Sequence, residues 1–469
     1  MQPDSDIESV IEGGYCIGCG MCAAFDESLT MKLDSFGRLQ AYKSSSDSIS
    51  NISNVVCPFS NQAITESALA DEFLPDAHCH NEYIGRYLST YVGWVEEEGF
   101  RNRGSSGGLT SWLLAELLRL KKIDHVIHVK GTDDATSDRL FEFGVSTSPE
   151  EVIAGAKSRY YPVELSSVIK RMLQTPGNYA IVGVPCFIKA IRLAARESEE
   201  IRQRLTFSIG IVCGHLKSTA FAKLLSWQCG VHPSKIDQVD FRHKLSDRPA
   251  SRYGFKVTSS NTRESNSAPM TELFGGNWGH GLFKYKACDY CDDVFAETAD
   301  IVFGDAWLPS YEKDSRGTNV VVCRNEEVRS ILEQASTEKR IHLEPADLDE
   351  VIQSQAGGLR HRREGLAYRL HLADKAKVWR PTKRVAPALD HLSRKQRRII
   401  RSRQKLAEIS HHVFKEALEK DSLDHFLRFM RPIAHHHDRL YPPPLFIRFL
   451  KKGVTLVKTA FQSLSARSK

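Results

Sequence analysis

The chain has 469 residues, a formal net charge of +6, and is 41% hydrophobic and 26% charged. This length suits two or three domains of roughly 100–200 residues each, and the composition is that of an ordinary globular protein rather than a disordered or membrane chain. No apolar run approaches the ~18 residues that span a bilayer, and the acidic start MQPDSDIESV lacks the basic and apolar regions of a secretory signal, so a cytoplasmic location is expected.

Three thiols come first. Cys16-x2-Cys19-x2-Cys22 packs them into one short run with Gly18 and Gly20 between them. The spacing matches the ferredoxin pattern, in which a distant Cys followed by Pro supplies the fourth ligand of a 4Fe–4S cluster. Cys57-Pro58 fits that role. A second cluster within this segment would need a Cys where Asp26 stands. Four thiolates also suit tetrahedral zinc, although zinc sites usually pair two Cys-x2-Cys knuckles. Residues 1–80, loop-rich through SSSDSISNIS, are therefore expected to form a small ferredoxin-like iron-sulfur module.

From about Tyr87 strand and helix patterns alternate. YVGWVE, HVIHVKG, YAIVGVP and LTFSIGIVCG read as strands, and LTSWLLAELLRL, SSVIKRMLQ and FIKAIRLAARE read as helices. The alternation predicts an α/β core with a mixed or parallel sheet, extending to about residue 384. Beyond VWRPTKRVAP a basic helical tail, 385–469, is expected, broken by RPIAHHH and YPPP.

The turn RNRGSSGG lies before an apolar helix, where free N–H groups and the helix dipole favour a phosphate. Ser105, Ser106, Gly107 and Gly108 would line that site and Arg103 would add charge; a plain helix-start turn is the alternative. Cys186 and Cys213 stand at strand ends, which converge on one rim of an α/β sheet, so they can meet the Cys288/Cys291 pair. Simple packing of buried thiols is the other reading, and it is the one adopted for Cys79, Cys229 and Cys323.

In the tail, SRKQRRIIRSRQK lacks interleaved aromatics and any recognised motif, so no nucleic acid is expected. Leu445, Phe446, Phe449, Leu450, Leu456, Val457 and Phe461 fall broadly on one helical face beside lysines. That pattern suits docking on the core or peripheral contact with a membrane or partner.

The landmarks CIGCGMC, RGSSGG, AKSRYY, GVPCFIKAIR, VCGH, FRHK, CDYC and ADIVFGDAW, in this order, resemble the beta subunits of coenzyme F-420 (deazaflavin) hydrogenase and dehydrogenase with their many bacterial relatives. The resemblance covers residues 14–310, and more weakly reaches about 380. It implies an iron-sulfur flavoprotein oxidoreductase. FAD would be held by the Ser-Ser-Gly-Gly turn near Lys157, Arg159 and Tyr160, across a core divided into residues 81–175 and 176–384. Cys186, Cys213, Cys288 and Cys291 would hold a second 4Fe–4S cluster, and Asp300, Gly304, Asp305 and Trp307 would close the core beside them. Electrons would pass between a ferredoxin-like carrier or a deazaflavin coenzyme and a substrate, in some relatives in a surface-polysaccharide pathway. The alternatives are an electron-transfer subunit without a small substrate and a zinc-stabilised binding protein. A homo-oligomer is compatible with either. The chain departs from the family in GVPCF for GTPCQ and VCGH for CHG. Candidate proton donors are His215, Lys157 and Lys244.

Overall fold

The computed structural model describes residues 7–44, 48–132 and 139–441. The amphipathic face expected at 445–461 lies outside them. Two hairpins, β1 (Leu29–Leu33) with β2 (Leu39–Lys43) and β3 (Cys79–Asn81) with β4 (Gly85–Tyr87), belong to the N-terminal region. The main sheet takes β5 (Ser89–Val95), β6 (His125–Gly131), β7 (Phe141–Ser146), β8 (Tyr179–Gly183) and β9 (Leu205–Ile211). A separate sheet of β10 (Ile236–His243), β11 (Gly254–Ser259) and β12 (Ser265–Pro269) follows, and β13 (Ile301–Asp305), β14 (Asn319–Cys323) and β15 (Ile341–Pro345) complete the main one.

The main sheet runs β15-β5-β14-β13-β9-β8-β6-β7 and is mixed. Its centre, β13-β9-β8-β6, is parallel, and antiparallel strands close both edges. Side chains alternate between faces with the strand period of two. Tyr179 and Ile181 of β8 join the helices Ser166–Gln174 and Pro185–Glu197, whereas Ala180 faces the helices Leu109–Arg119 and Glu326–Thr337. The seven strands and helices expected between residues 91 and 214 all form, and Pro185 opens its helix where a missing N–H costs nothing.

The N-terminal segment packs directly on this sheet, since Val10, Ile17, Met21, Val56 and Phe59 share one core with Val302 and Val320. Helix Arg394–Glu419, started by a capping box between Ser393 and Gln396, folds against helix Leu423–Asp438. Leu406, Phe414, Phe426 and Met430 of this pair bury against β10, β11 and helix Thr219–Gln228. The expected break at RPIAHHH does not occur: the second helix runs through Pro432. Proline removes one helical hydrogen bond, but Phe426, Met430 and Ala434 on either side stay buried and hold the helix together. Among the described residues no helix is long and apolar enough to cross a membrane.

Candidate functional site

Cys16, Cys19, Cys22 and Cys57 line one small apolar cavity with Val10, Met31 and Phe59. Gly18, at φ 72°, has no room for a Cβ, which would stand 2.6 Å from the Leu39 carbonyl, so the tight path between the thiols requires glycine. The Gly18 N–H donates to the Cys16 sulfur at 3.4 Å, and the Cys19 carbonyl accepts from Leu165 N–H at the head of helix Ser166–Gln174. Asp26, which stands where a two-cluster ferredoxin needs a thiol, is a loop clasp. It accepts from the N–H and hydroxyl of Ser28 (2.9 and 2.6 Å), from Ser50 N–H (2.7 Å) and from the Ser53 hydroxyl (3.1 Å).

The second set also assembles. Cys186 opens the helix after β8, Cys213 follows β9, and Cys288 and Cys291 bracket the end of the 3-10 turn Lys286–Tyr290. Strands β8 and β9 are parallel neighbours, so their C-terminal ends share a rim. The Cys186 thiol is raised by burial and then by the charges of Cys291, Cys213 and Cys288, with Cys19 of the first set next, so the two sets adjoin. Burial pushes Cys213 up to about 11, and burial with the neighbouring Cys213 pushes Cys288 up to about 12. Leu216 N–H donates to the Cys288 sulfur at 3.2 Å. All eleven cysteines are unpaired, and Cys79, Cys229 and Cys323 belong to neither set. Among the described residues, no three His, Cys, Asp or Glu are close enough to share one metal ion.

Between the thiol sets and the Gly/Ser turn lies a cavity of about 280 Å³. Ser105, Ser106, Gly108, Lys157, Arg159 and Tyr160 line it, together with Ile17 from the first thiol loop and Cys213 from the second set. Gly107 serves the turn from behind: a Cβ there would stand 2.7 Å from the Gly93 carbonyl and 2.7 Å from Asn319 Oδ1. Arg103 is exposed and is not part of the lining, because it ends the short helix Phe100–Arg103 that precedes the turn. Gly108 offers no side chain to cap helix Leu109–Arg119, whose Leu109 N–H donates to Asn319 Oδ1 at 3.2 Å, and Thr110 and Ser111 face the cavity. Lys157 holds φ at 114°, a strained backbone for a residue with a Cβ. Its ammonium pairs with Asp240 at 3.0 Å, while the buried Nε of Arg159 has no partner. A lining that combines cations and a helix start with the rings of Phe143, Phe187 and Trp278 fits a phosphate-bearing planar cofactor.

A larger chamber of about 870 Å³ adjoins it and shares Tyr160, Cys213, His215, Trp278 and Asp305. Its far wall comes from residues 353–441, including Gln355, His361, Ile400, Arg403 and Tyr441. Arg242 of β10 joins the two spaces. It grips Asp305 with both guanidinium nitrogens (2.9 and 3.0 Å), donates to the Ser105 carbonyl (3.2 Å) and the Tyr160 hydroxyl (3.2 Å), and stacks on Tyr253. Lys244 ties the turn from below, through the carbonyls of Arg101 (2.5 Å) and Ser106 (2.9 Å). His215, half of whose ring lacks a partner, is kept neutral by burial and packs on Trp278. Asp300 is structural, accepting from Arg192 and Ser208. Arg242 escaped the sequence reading, although the FRHK motif contains it.

No curated protein matches the chain. A solved chain of the F420-reducing [NiFe] hydrogenase complex from Methanosarcina barkeri is similar at 15% identity and a TM-score of 0.48, over 63% of this chain and 96% of that one. Two family models match: the N-terminal part of the coenzyme F420 hydrogenase/dehydrogenase beta subunit over residues 90–170, and its C-terminal part over residues 177–349. Together they span more than half of the sequence and include the Gly/Ser turn, Lys157, Arg242 and the second thiol set. The chain belongs to the coenzyme F420 hydrogenase/dehydrogenase beta-subunit family of redox proteins.

Proposed function

We propose that the protein is an iron-sulfur flavoprotein oxidoreductase, with 4Fe–4S clusters on Cys16, Cys19, Cys22 and Cys57 and on Cys186, Cys213, Cys288 and Cys291, and FAD in the cavity between these sets and the Gly/Ser turn. One observation carries the reading: a single cavity is bordered at once by the Ser105–Gly108 turn, by Ile17 of the first thiol loop and by Cys213 of the second set. The Cys16-x2-Cys19-x2-Cys22 run with a distant Cys57-Pro58 supports a multi-iron cluster over one zinc ion, whose sites usually pair two Cys-x2-Cys knuckles. Clusters exchange single electrons and a flavin exchanges one or two, so the combination links a one-electron carrier, such as a ferredoxin, to a two-electron substrate.

The residues of the chain divide this work. Helix Leu109–Arg119 and Arg159 hold phosphate, Arg242 and Lys244 fix the turn that carries Ser105 and Ser106, and buried aromatics exclude water from the ring. The adjoining chamber is where substrate enters. Its far wall lies beyond the residues shared with the family models, so the substrate is set by this chain's own C-terminal region. A relay subunit without a small substrate is the second reading, favoured by the family's description as a beta subunit.

Anaerobic purification with quantification of iron, sulfide and released flavin tests the proposal. Iron for two clusters and one FAD per chain is expected. Iron for one cluster and no flavin would refute it. Turnover with a soluble substrate separates the enzyme from the relay subunit.

A further inference from the structure

We infer that Arg362 tunes the second thiol set, holding the reduction potential of the cluster there above that of the first; this rests on the two-cluster reading. Arg362 ends the helix Ala356–Arg362, beyond the residues matched by the family models, and is 1% exposed. Its Nη1 donates to the carbonyls of Cys213 (3.0 Å) and Gly214 (3.2 Å), and its buried Nε has no partner. Among the described residues it makes no ion pair with a carboxylate, unlike Arg242 or Arg384. A buried guanidinium without a counter-charge is costly. The negative groups that act on it most are Cys291, Cys213 and Cys288, ahead of Asp293. Its counter-ion is therefore the thiolate set itself.

Asp292 is neutralised by Arg384 at 3.3 Å and Lys383 at 3.9 Å, and Asp293, which accepts from the Glu297 N–H, acts on Arg362 less than the three thiolates do. The first set has no equivalent cation. Lys189 beside Cys57 is spent on Glu66 at 3.1 Å, Arg38 is spent on Asp34, and the Glu164 carboxylate lies against Gly20 within the thiol loop. One-electron reduction adds a negative charge at each site and moves no proton at Arg362. A fixed positive charge favours that reduction at the second site alone, since surrounding charge is one of the levers on cluster potential.

The test is a potentiometric titration of the anaerobically purified full chain, with dithionite as reductant and each cluster followed by its electron paramagnetic resonance signal. In Arg362→Gln the equilibrium constant for reducing the second cluster should fall about tenfold, or ~59 mV for one electron, with the first cluster unmoved. Arg362→Lys, which keeps the charge, should shift it less than threefold. An unmoved second potential in Arg362→Gln, equal shifts in both variants, or equal shifts of both clusters overturns the assignment. If Arg362→Gln does not retain full iron, Arg362→Met replaces it: the second potential should fall as in Arg362→Gln, and an unmoved second potential overturns the role. Iron for only one cluster in the unmutated protein overturns the two-cluster reading and this inference together, whereas full iron with unmoved potentials overturns the inference alone.

Discussion

Replacing Arg242 tests the joint between cofactor cavity and chamber. Its side chain is 4% exposed and that of Asp305 is 21% exposed, so Arg242→Ala leaves a half-buried carboxylate without its bidentate partner. Breaking a fully buried pair in this way costs ~3–5 kcal/mol, and partial exposure of Asp305 reduces that to about 2–3 kcal/mol. The same change frees the Ser105 carbonyl and the Tyr160 hydroxyl, both of which accept from Arg242. Lysine should rescue poorly, because a point charge cannot reproduce the fork. The assay is a denaturant double-mutant cycle of Arg242→Ala with Asp305→Asn, alongside flavin content after gel filtration. A coupling energy of about 1 kcal/mol or more and loss of flavin are expected. Coupling within about 0.5 kcal/mol, the level of independent sites, or flavin retained as in the unmutated protein, would refute the reasoning.

Serine at Cys186 or Cys291 should remove half of the bound iron and leave the first set loaded, and serine at Cys16 should do the reverse, both read by iron quantification. Gly107→Ala must push a Cβ against the Gly93 carbonyl and Asn319. A loss of ~1–3 kcal/mol in denaturant unfolding and weaker flavin retention are expected, and a neutral result would refute the required close approach. His411 and His437 on the C-terminal helix pair are held down to about 4 by burial. The neutral forms belong to the folded state, so their contribution is complete above pH 6.5, the ordinary value, and is lost as pH falls toward 4. The unfolding midpoint should therefore drop across that window, and the slope should shrink in His437→Gln.

What the sequence revealed follows from how local each feature is. The Cys16–Cys22 run, the turn at residues 104–108 and the seven strands and helices between residues 91 and 214 depend on spacing within one element. They could be read directly, and strand-end convergence extended this to Cys186 and Cys213. Arg242 reaches Asp305 across 63 residues and Arg362 reaches Cys213 across 149, and no periodicity marks which arginine will be buried. Pro432 misled for a related reason: the local rule breaks the helix, but the packing of Phe426 and Met430 against Phe283 and the neighbouring core outweighs one lost hydrogen bond. Thiols and glycines therefore mark where a cofactor can sit. The distant arginines are each buried against a different partner, Arg242 against Asp305 and Arg362 against the Cys213 carbonyl. Residues 353–441, beyond the span matched by the family models, supply one wall of the chamber beside the cofactor cavity.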